Sequence, residues 1–417
     1  MTFTEELIWR GFFHQTTYPD GGQNALNGSP LIFYWGVDPT ADSMTVGNLA
    51  VAMLVRHFIS HGHKAVLLVG GATGLIGDPD GKSRERELLS SEEVSVNKQR
   101  LVEQYRQLFT NLPFEIVDNY DWFKDIHFLD FLRDIGKHVP LSQMLGREFV
   151  NTRLKEEGGG LSYAEFSYIL IQAYDFLKLY QDKGVRLQLC GSDQWGNSIA
   201  GVDLIRRIAG GEAHVYAAPL VVNSVTGQKF GKTETGAIWL DAAKTSPTQF
   251  YQFWINQPDE AVEGYLKIFT FMDKLMIEEL MAKQQRDPGA RPAQTALAAA
   301  VTDIVHGQQK TAAAVAVTDV LVGNKAVGDL DGTVLQELRS EIPVVSRSIG
   351  SELAEVLTAG GLATSKTDAR QLISNNAISL NGQKTSREHL QADDFQTGRL
   401  LIRRGKAYRD TMLVELT

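Results

Sequence analysis

Short apolar runs alternate along the chain with longer stretches in which apolar residues recur every three or four positions. This is the signature of buried strands followed by amphipathic helices. "SPLIFYWGV" (29–37) is apolar, aromatic and short, and predicts a buried strand. "TVGNLAVAMLVRHFISHGHK" (45–64) predicts a helix ending near Gly62, and "AVLLVGG" (65–71) a second strand. Together they make a β-α-β unit, the start of a doubly wound parallel sheet. His61 and His63 flank Gly62 and could pair on a metal. Cationic side chains answering the dipole at a helix end are the expected reading. "LSSEEVSVNKQRLVEQYRQLF" opens with Ser90 and Glu93 at capping-box spacing and continues as an amphipathic helix. "VRLQLCGSDQWGN" (185–197) predicts another strand entering a glycine-containing turn, then the helix "SIAGVDLIRRIAG". The aromatic segment 121–145, with Trp122, Phe123, Phe128 and Phe131, suits a core and a subunit interface equally.

After Trp239 the pattern becomes helical. Ser246 caps a helix whose first turn holds Pro247, and helical periodicity continues to about Val322. Residues 323–349 mix glycine, proline and acids and read as a connector. From about Ser351 a small α/β unit follows: a helix over "SKTDARQLISN", a strand "AISLNG", and "GRLLIRRGKAYRDTMLVEL". The expected fold is therefore α/β, with a doubly wound parallel-sheet domain over 1–240, an α-helical domain over 241–322, a linker over 323–349 and a small α/β domain over 350–417.

Composition narrows the class. A chain of 417 residues is too long for one hydrophobic core, and 43% hydrophobic with 22% charged residues is ordinary for a soluble protein. No apolar run reaches the roughly 18 residues needed to span a bilayer, and the acidic N-terminus does not read as a signal peptide. Cys190 is the single cysteine, which excludes an internal disulfide and a cysteine-cluster metal site. A cytoplasmic location with no protein-held metal is expected. Net charge is −9, so nucleic-acid binding is not advertised by the whole chain, but the tail from Ser351 is marginally basic.

Four segments carry candidate chemistry. In "YWGVDPTADSMTVGNLA" (34–50) a strand delivers the chain to a turn, and a helix begins near Thr45. Its free N–H groups and dipole suit a phosphate, and Gly47 permits close approach. An ordinary strand-to-helix turn is the plain alternative. "KFGKT" (229–233) places Lys229 and Lys232 three apart with Thr233 beside them, as a loop closing on phosphates would, or a solvated basic loop. In "YAEFSYILIQAYDFLKLY", Tyr168, Gln172 and Asp175 fall at i, i+4 and i+7, a polar stripe on an apolar helix. Buried, that stripe must find partners, in the protein or in a polar ligand. In "GGATGLIGDPDGKSRER", Asp78 follows a glycine-rich turn at a strand end and could hold an ammonium group; Lys82, Arg84 and Arg86 follow.

These blocks, with "FLRDIGKH", "GSDQWGN", "KFGKTETGAIWLD" and "TSPTQFYQFWIN", closely resemble bacterial tyrosyl-tRNA synthetases, from near residue 5 to the end. The resemblance implies a class I synthetase with a Rossmann-like catalytic domain and an S4-like RNA-binding tail. Its substrates would be L-tyrosine, ATP with Mg²⁺, and tRNA(Tyr); its state would be a homodimer without membrane attachment. Carried over by position, Tyr34 and Asp175 would bond the phenol, and Tyr168, Gln172 and Asp78 the ammonium group. Gln194 would lie near the attacking carboxylate. Asp193 and Gly191 would line the ribose site, with Asp38, Thr40 and Gly47 beside the nucleotide. Thr40, Thr45, Asn48, Lys229, Lys232 and Thr233 would act on the phosphates, with Lys82 and Arg86 on a facing loop. In the tail, Lys366, Arg370, Lys384, Arg403, Arg404 and Lys406 would meet RNA phosphates.

The sequence departs from the family's His-x-Gly-His signature, having Thr45-Val46-Gly47-Asn48. Exchanging charged for neutral donors is expected to cost ~1–3 kcal/mol of transition-state stabilisation. Trp35 stands where the family has a small residue and could crowd or stack on the nucleotide. Cys190 replaces a usual glycine, most simply as a small buried side chain. An active synthetase and a non-catalytic descendant that binds tyrosine, nucleotide or RNA both remain open. The joint presence of Lys82, Arg86, Asp193, Lys229 and Lys232 favours the active one.

Overall fold

The computed structural model describes residues 1–79, 88–145, 150, 162–222, 230, 232–233, 236–405 and 410–417. It divides into two compact units, Met1–Thr245 with Pro258–Ala293, and Ser246–Gln257 with Gln294–Thr417.

The first unit is built on a six-stranded sheet: β1 (Gln15–Thr16), β2 (Ile32–Val37), β3 (Lys64–Val69), β4 (Phe114–Asp118), β5 (Leu187–Gly191) and β6 (His214–Ala218). The strand order is β1-β6-β5-β2-β3-β4, parallel except for β1. Successive side chains of β2 face opposite ways. Phe33 and Trp35 meet the helices Val46–Ser60 and Ser91–Leu108, through rings of Phe58 at 5.3 Å and Tyr105 at 5.5 Å. Tyr34 meets the other layer, the helices Tyr163–Lys183 and Trp195–Ala209, where its ring lies 5.1 Å from Phe176. The sequence thus yields the expected doubly wound sheet.

Its chain order reverses between β2 and β5: β3 and β4 follow β2 on one side, and β5 and β6 lie on the other. These two strands pair only at Phe33–Leu187 and Tyr34–Gln188, so the sheet opens beyond Tyr34 at their carboxyl ends. That is where an open parallel sheet leaves a ligand crevice.

His63 is buried. Its Nδ1 accepts from the Leu31 N–H at 3.1 Å, which leaves Nε2 to donate to the Leu26 carbonyl at 3.2 Å. That is a neutral ring, and burial lowers its pKa. The expectation of a cationic helix end is corrected for His63, which ties strand to loop; His61 stands at the helix end, its Nδ1 2.9 Å from the His57 carbonyl and its Nε2 3.3 Å from Glu6.

The expected helical domain, 241–322, is shared between the units. The helix Asp259–Phe269 buries Val262, Leu266 and Phe269 in the first unit. Its C-terminal end is held by the buried Arg10 guanidinium, which donates to the carbonyls of Lys267, Thr270 and Met272 at 3.0–3.1 Å. A cation on the unpaired carbonyls of a helix end satisfies both hydrogen bonding and the dipole. The helix Pro247–Ile255 belongs to the second unit, where Gln252 donates to Thr318 at 2.7 Å.

Residues 323–349 are more than a connector. They form the helix Gly332–Glu341 and strand Val344–Arg347, which pairs parallel with Thr411–Leu416 at the edge of a five-stranded sheet. Val327, Leu330, Leu335, Leu338 and Ile342 pack with Leu401 and Leu413. The acids and glycines that suggested a linker belong to caps and turns, such as Asp331, which accepts from the Thr333 and Val334 N–H groups. In the same sheet, strand Gln383–Lys384 pairs with Ile378–Leu380, and that with Arg399–Arg404.

Candidate active site

The crevice at the β2/β5 opening is a cavity of about 380 Å³. Tyr34, Asp38, Thr40, Thr45, Gly47, Asn48, Asp78, Tyr168, Gln172, Asp175, Gly191, Asp193 and Gln194 all line it. Of the remaining candidates, Lys82, Arg86 and Lys229 lie outside the described residues, as does Arg84. Lys232 and Thr233 form a short strand paired with Gly236–Ala237.

One end of the cavity is a buried polar pocket. Tyr34 is 2% exposed, and among the described residues its buried hydroxyl has no hydrogen-bond partner. Burial, with Asp175 nearby, pushes its pKa well up, so it stays protonated and able to donate. Asp175 is also 2% exposed. Its two oxygens accept from Asn119 Nδ2 at 3.0 Å and Trp122 Nε1 at 2.9 Å. Burial raises its pKa well above the usual carboxylate range, and the two donors oppose that by favouring the ionised form. Asn119 is a node, since its Nδ2 also donates to Thr73 Oγ1 at 3.1 Å and its Oδ1 accepts from the Ala72 N–H at 2.7 Å.

Along the helix stripe, Tyr168 donates to Asp38 Oδ2 at 2.7 Å, and Asp38 Oδ1 accepts from Thr73 at 2.5 Å. Gly70 makes this approach possible: a Cβ there would stand 2.1 Å from Asp38 Oδ1. Among the described residues the buried Gln172 Oε1 has no partner. The stripe is therefore partly bonded within the protein and partly left for a ligand. Gln194 donates to Asp78 Oδ2 at 2.5 Å and accepts from Asn197 at 3.2 Å, which fixes both groups at the cavity wall.

At the other end stands the N-terminus of the helix Val46–Ser60. The Asn48 Oδ1 accepts from the Thr45 backbone N–H at 2.9 Å and the Thr45 hydroxyl at 3.0 Å. The chain after Lys232–Thr233 returns beside this end: the Val46 N–H donates to the Ile238 carbonyl at 3.1 Å and the Leu240 N–H to Met44 at 2.9 Å. Among the described residues the lining carries four aspartates, Asp38, Asp78, Asp175 and Asp193, and no lysine or arginine. Such a wall suits an ammonium group.

Trp35 also lines the cavity. The indole is buried against Tyr105 and Phe109, at 5.5 and 6.4 Å, on the sheet face opposite Tyr34. Cys190 is buried in β5, and burial pushes its thiol up to about 12, so it is an unreactive neutral side chain.

Residues 26–322 match the family model for class I tRNA synthetases (W and Y), and residues 334–409 the model for the Tyrosine--tRNA ligase SYY-like C-terminal domain. The Tyrosine--tRNA ligase of Bacillus caldotenax is 43% identical over 415 residues, covering 97% of this chain and 98% of that one. That of Staphylococcus haemolyticus is 42% identical over 410 residues, 96% of each. The chain belongs to the class I tyrosine–tRNA ligase family.

Among solved structures, a C-terminally truncated mitochondrial tyrosyl-tRNA synthetase of Aspergillus nidulans aligns with a TM-score of 0.68 at 31% identity, over 75% of this chain and 92% of that one. Family membership gives the two ends of the crevice a common purpose. Asn119 and Thr73 carry no motif that marks them in the sequence, and Trp122 stands there only as part of an aromatic segment. The signal available was position, because Asn119 directly follows β4 and so stands at the carboxyl edge of the sheet, where ligands sit.

In the second unit, Lys384 and Arg403 both register with Ser379 from either side, so they share one face of the sheet. Lys384 is exposed. Arg404 is paired with Asp410 at 3.0 Å and donates to the Leu362 carbonyl, and Arg403 donates to Thr411 Oγ1 at 3.3 Å. Lys366 and Arg370 pair with Glu355 and Glu352 at 2.5 and 2.8 Å. Exposed pairs of this kind are weak and screened by solvent. Lys406 lies outside the described residues.

Proposed function

We propose that the protein activates L-tyrosine with ATP and charges tRNA(Tyr). In the first step the tyrosine carboxylate attacks the α-phosphorus of ATP; a carboxyl–phosphate bond forms, the bond to the β-phosphate bridge breaks, and pyrophosphate leaves. In the second, a ribose hydroxyl of the tRNA terminus takes the tyrosyl group and AMP leaves. No side chain bonds covalently to substrate, so catalysis is orientation and electrostatic stabilisation. Magnesium belongs to the nucleotide here, travelling on its phosphates as part of the substrate.

The observation that carries this reading is the buried pair of Tyr34 and Asp175, one donor without a partner among the described residues and one acceptor bonded to two donors, at the floor of a crevice that ends at a helix N-terminus. A phenol can both accept from Tyr34 and donate to Asp175. A phenylalanine ring leaves both polar groups buried and unanswered, a form of rejection for which tyrosyl-tRNA synthetases are themselves the standard example. Tyr168, Gln172 and Asp78 then face the ammonium group. The anionic wall around them needs cations for the triphosphate, and the family's lysine loops, with Lys82, Arg86, Lys229 and Lys232, are the source this reading assigns.

A homodimer and a cytoplasmic location form part of the proposal. Phe128 and Leu129 are 62% and 75% exposed on the helix Phe128–Asp134, an apolar surface suited to a second copy. Phe123 and Phe131 pack against Tyr174 beneath it. Among the described residues no helix is long and apolar enough to cross a membrane.

Tyrosine-dependent exchange of labelled pyrophosphate into ATP tests the activity. Exchange with tyrosine and its near absence with phenylalanine is the expected result. Tyrosine binding without any exchange would instead support the non-catalytic descendant.

A further inference from the structure

The departure at the helix N-terminus has a structural answer that a residue-by-residue comparison with histidine does not suggest. Thr45 and Asn48 are bonded to each other, twice, through a single atom: Asn48 Oδ1 accepts from both the Thr45 N–H and the Thr45 hydroxyl. Which end of the amide is which is settled by chemistry, because a backbone N–H can only donate and so must face the carbonyl oxygen. The backbone that supplies this N–H is itself clamped, with Thr45 bridged to Trp239 and the flanking Val46 N–H and Met44 carbonyl bonded to Ile238 and Leu240. With Oδ1 occupied, Nδ2 is the atom of the amide left to meet a ligand, and Thr45, Gly47 and Asn48 all line the cavity.

We infer that Thr45 is a positioning residue: it locks the Asn48 amide with its NH₂ group as a neutral phosphate donor at the nucleotide end of the crevice, so that positions 45 and 48 act as one coupled unit. This rests on the proposed activation reaction. The pair replaces two independent charged donors by one donor whose orientation is fixed in advance. A consequence is that histidine restored at position 45 alone removes the hydroxyl that orients Asn48, and is no simple repair.

Two substitutions separate positioning from a purely structural cap. Asn48→Asp keeps an acceptor for both Thr45 donors and puts a carboxylate in the first turn, so a cap is retained or improved. It removes the NH₂ donor. The expected result is an unchanged or higher melting temperature with pyrophosphate exchange reduced about 10-fold or more, in kcat. Retained exchange in Asn48→Asp overturns the inference. Thr45→Val removes one of the two bonds to Oδ1, and a loss of about 3- to 10-fold is expected, with Thr45→Ser restoring it. In an Asn48→Ala background Thr45→Val is expected to cost nothing further; an equal cost in both backgrounds means that Thr45 acts by itself and overturns the coupling. Absence of exchange in the unaltered protein would refute the activation reading separately. The same cycle is then decided by ATP affinity in equilibrium dialysis, where additivity again overturns the coupling.

Discussion

The Asp175 carboxylate lends itself to a quantitative test through Trp122. Each oxygen of Asp175 has one protein donor, and the indole N–H supplies the one at Oδ1, 2.9 Å away. Trp122→Phe keeps an aromatic ring against the core but removes that donor. A hydrogen bond to a charged, buried group is worth about 1.5–3 kcal/mol, and its loss falls on the ionised form of Asp175. The pKa, already raised by burial, moves further up. A phenol bonded to a neutral carboxyl loses the charge-assisted part of its bond, roughly half, so tyrosine binding weakens by about 1–2 kcal/mol, a 5- to 30-fold rise in the KM for tyrosine. The KM for ATP stays put, because the nucleotide end is formed by other elements. The sign of the pH effect follows. In the unaltered protein the KM for tyrosine rises as pH falls through the raised pKa of Asp175, and Trp122→Phe moves that rise to higher pH. Pyrophosphate exchange at varied tyrosine and pH measures both. A tyrosine KM within about twofold of the starting protein, with the acid limb unmoved, would show that Trp122 does not tune this carboxylate.

Three further outcomes are expected. His57 is buried, and burial, with Arg10 nearby, pushes its imidazole down to about 3. Its folded pKa lies below the ordinary 6.5, so its contribution to stability is intact above about pH 6.5 and is lost as pH falls toward 3; His57→Gln should flatten the decline of melting temperature across that range. Lys384→Glu should weaken tRNA binding and reduce the slope of log K against log salt by about one, whereas Lys366→Glu, whose cation is already paired with Glu355, should do less; equal slopes for Lys384→Glu and the unaltered protein would remove Lys384 from the RNA surface. Cys190 should resist thiol reagents in the native protein and react once it is unfolded in guanidinium, since its thiol is both buried and kept protonated; native-state labelling at the rate of a free thiol would contradict this.

The sequence by itself determined the elements and much of the crevice. Short apolar runs and a 3.6-residue period define β2, the helix Val46–Ser60 and β3 as a β-α-β unit, and the i, i+4, i+7 stripe puts Tyr168, Gln172 and Asp175 on one face, because run length and helical period are properties of the local backbone. Ordered blocks along the whole chain carried the family. Only the tertiary structure decided the partners. Asn119 and Trp122 come from beyond β4, more than fifty positions before Asp175, and nothing local joins them to it. Trp35 lines the crevice, and strand alternation packs its ring against Tyr105 on the sheet face away from Tyr34. The supposed connector 323–349 became sheet and core because its apolar residues answer Leu401 and Leu413, distant in the chain. The Thr45–Asn48 pair stands between the two cases: two neutral polar residues three apart at the start of a helix are legible in the sequence, but which atom of the amide is bonded within the pair, and which is left for a ligand, follows only from the clamped backbone around it. Local periodicity can be read from a string of residues; hydrogen-bond satisfaction is a property of what the fold brings together.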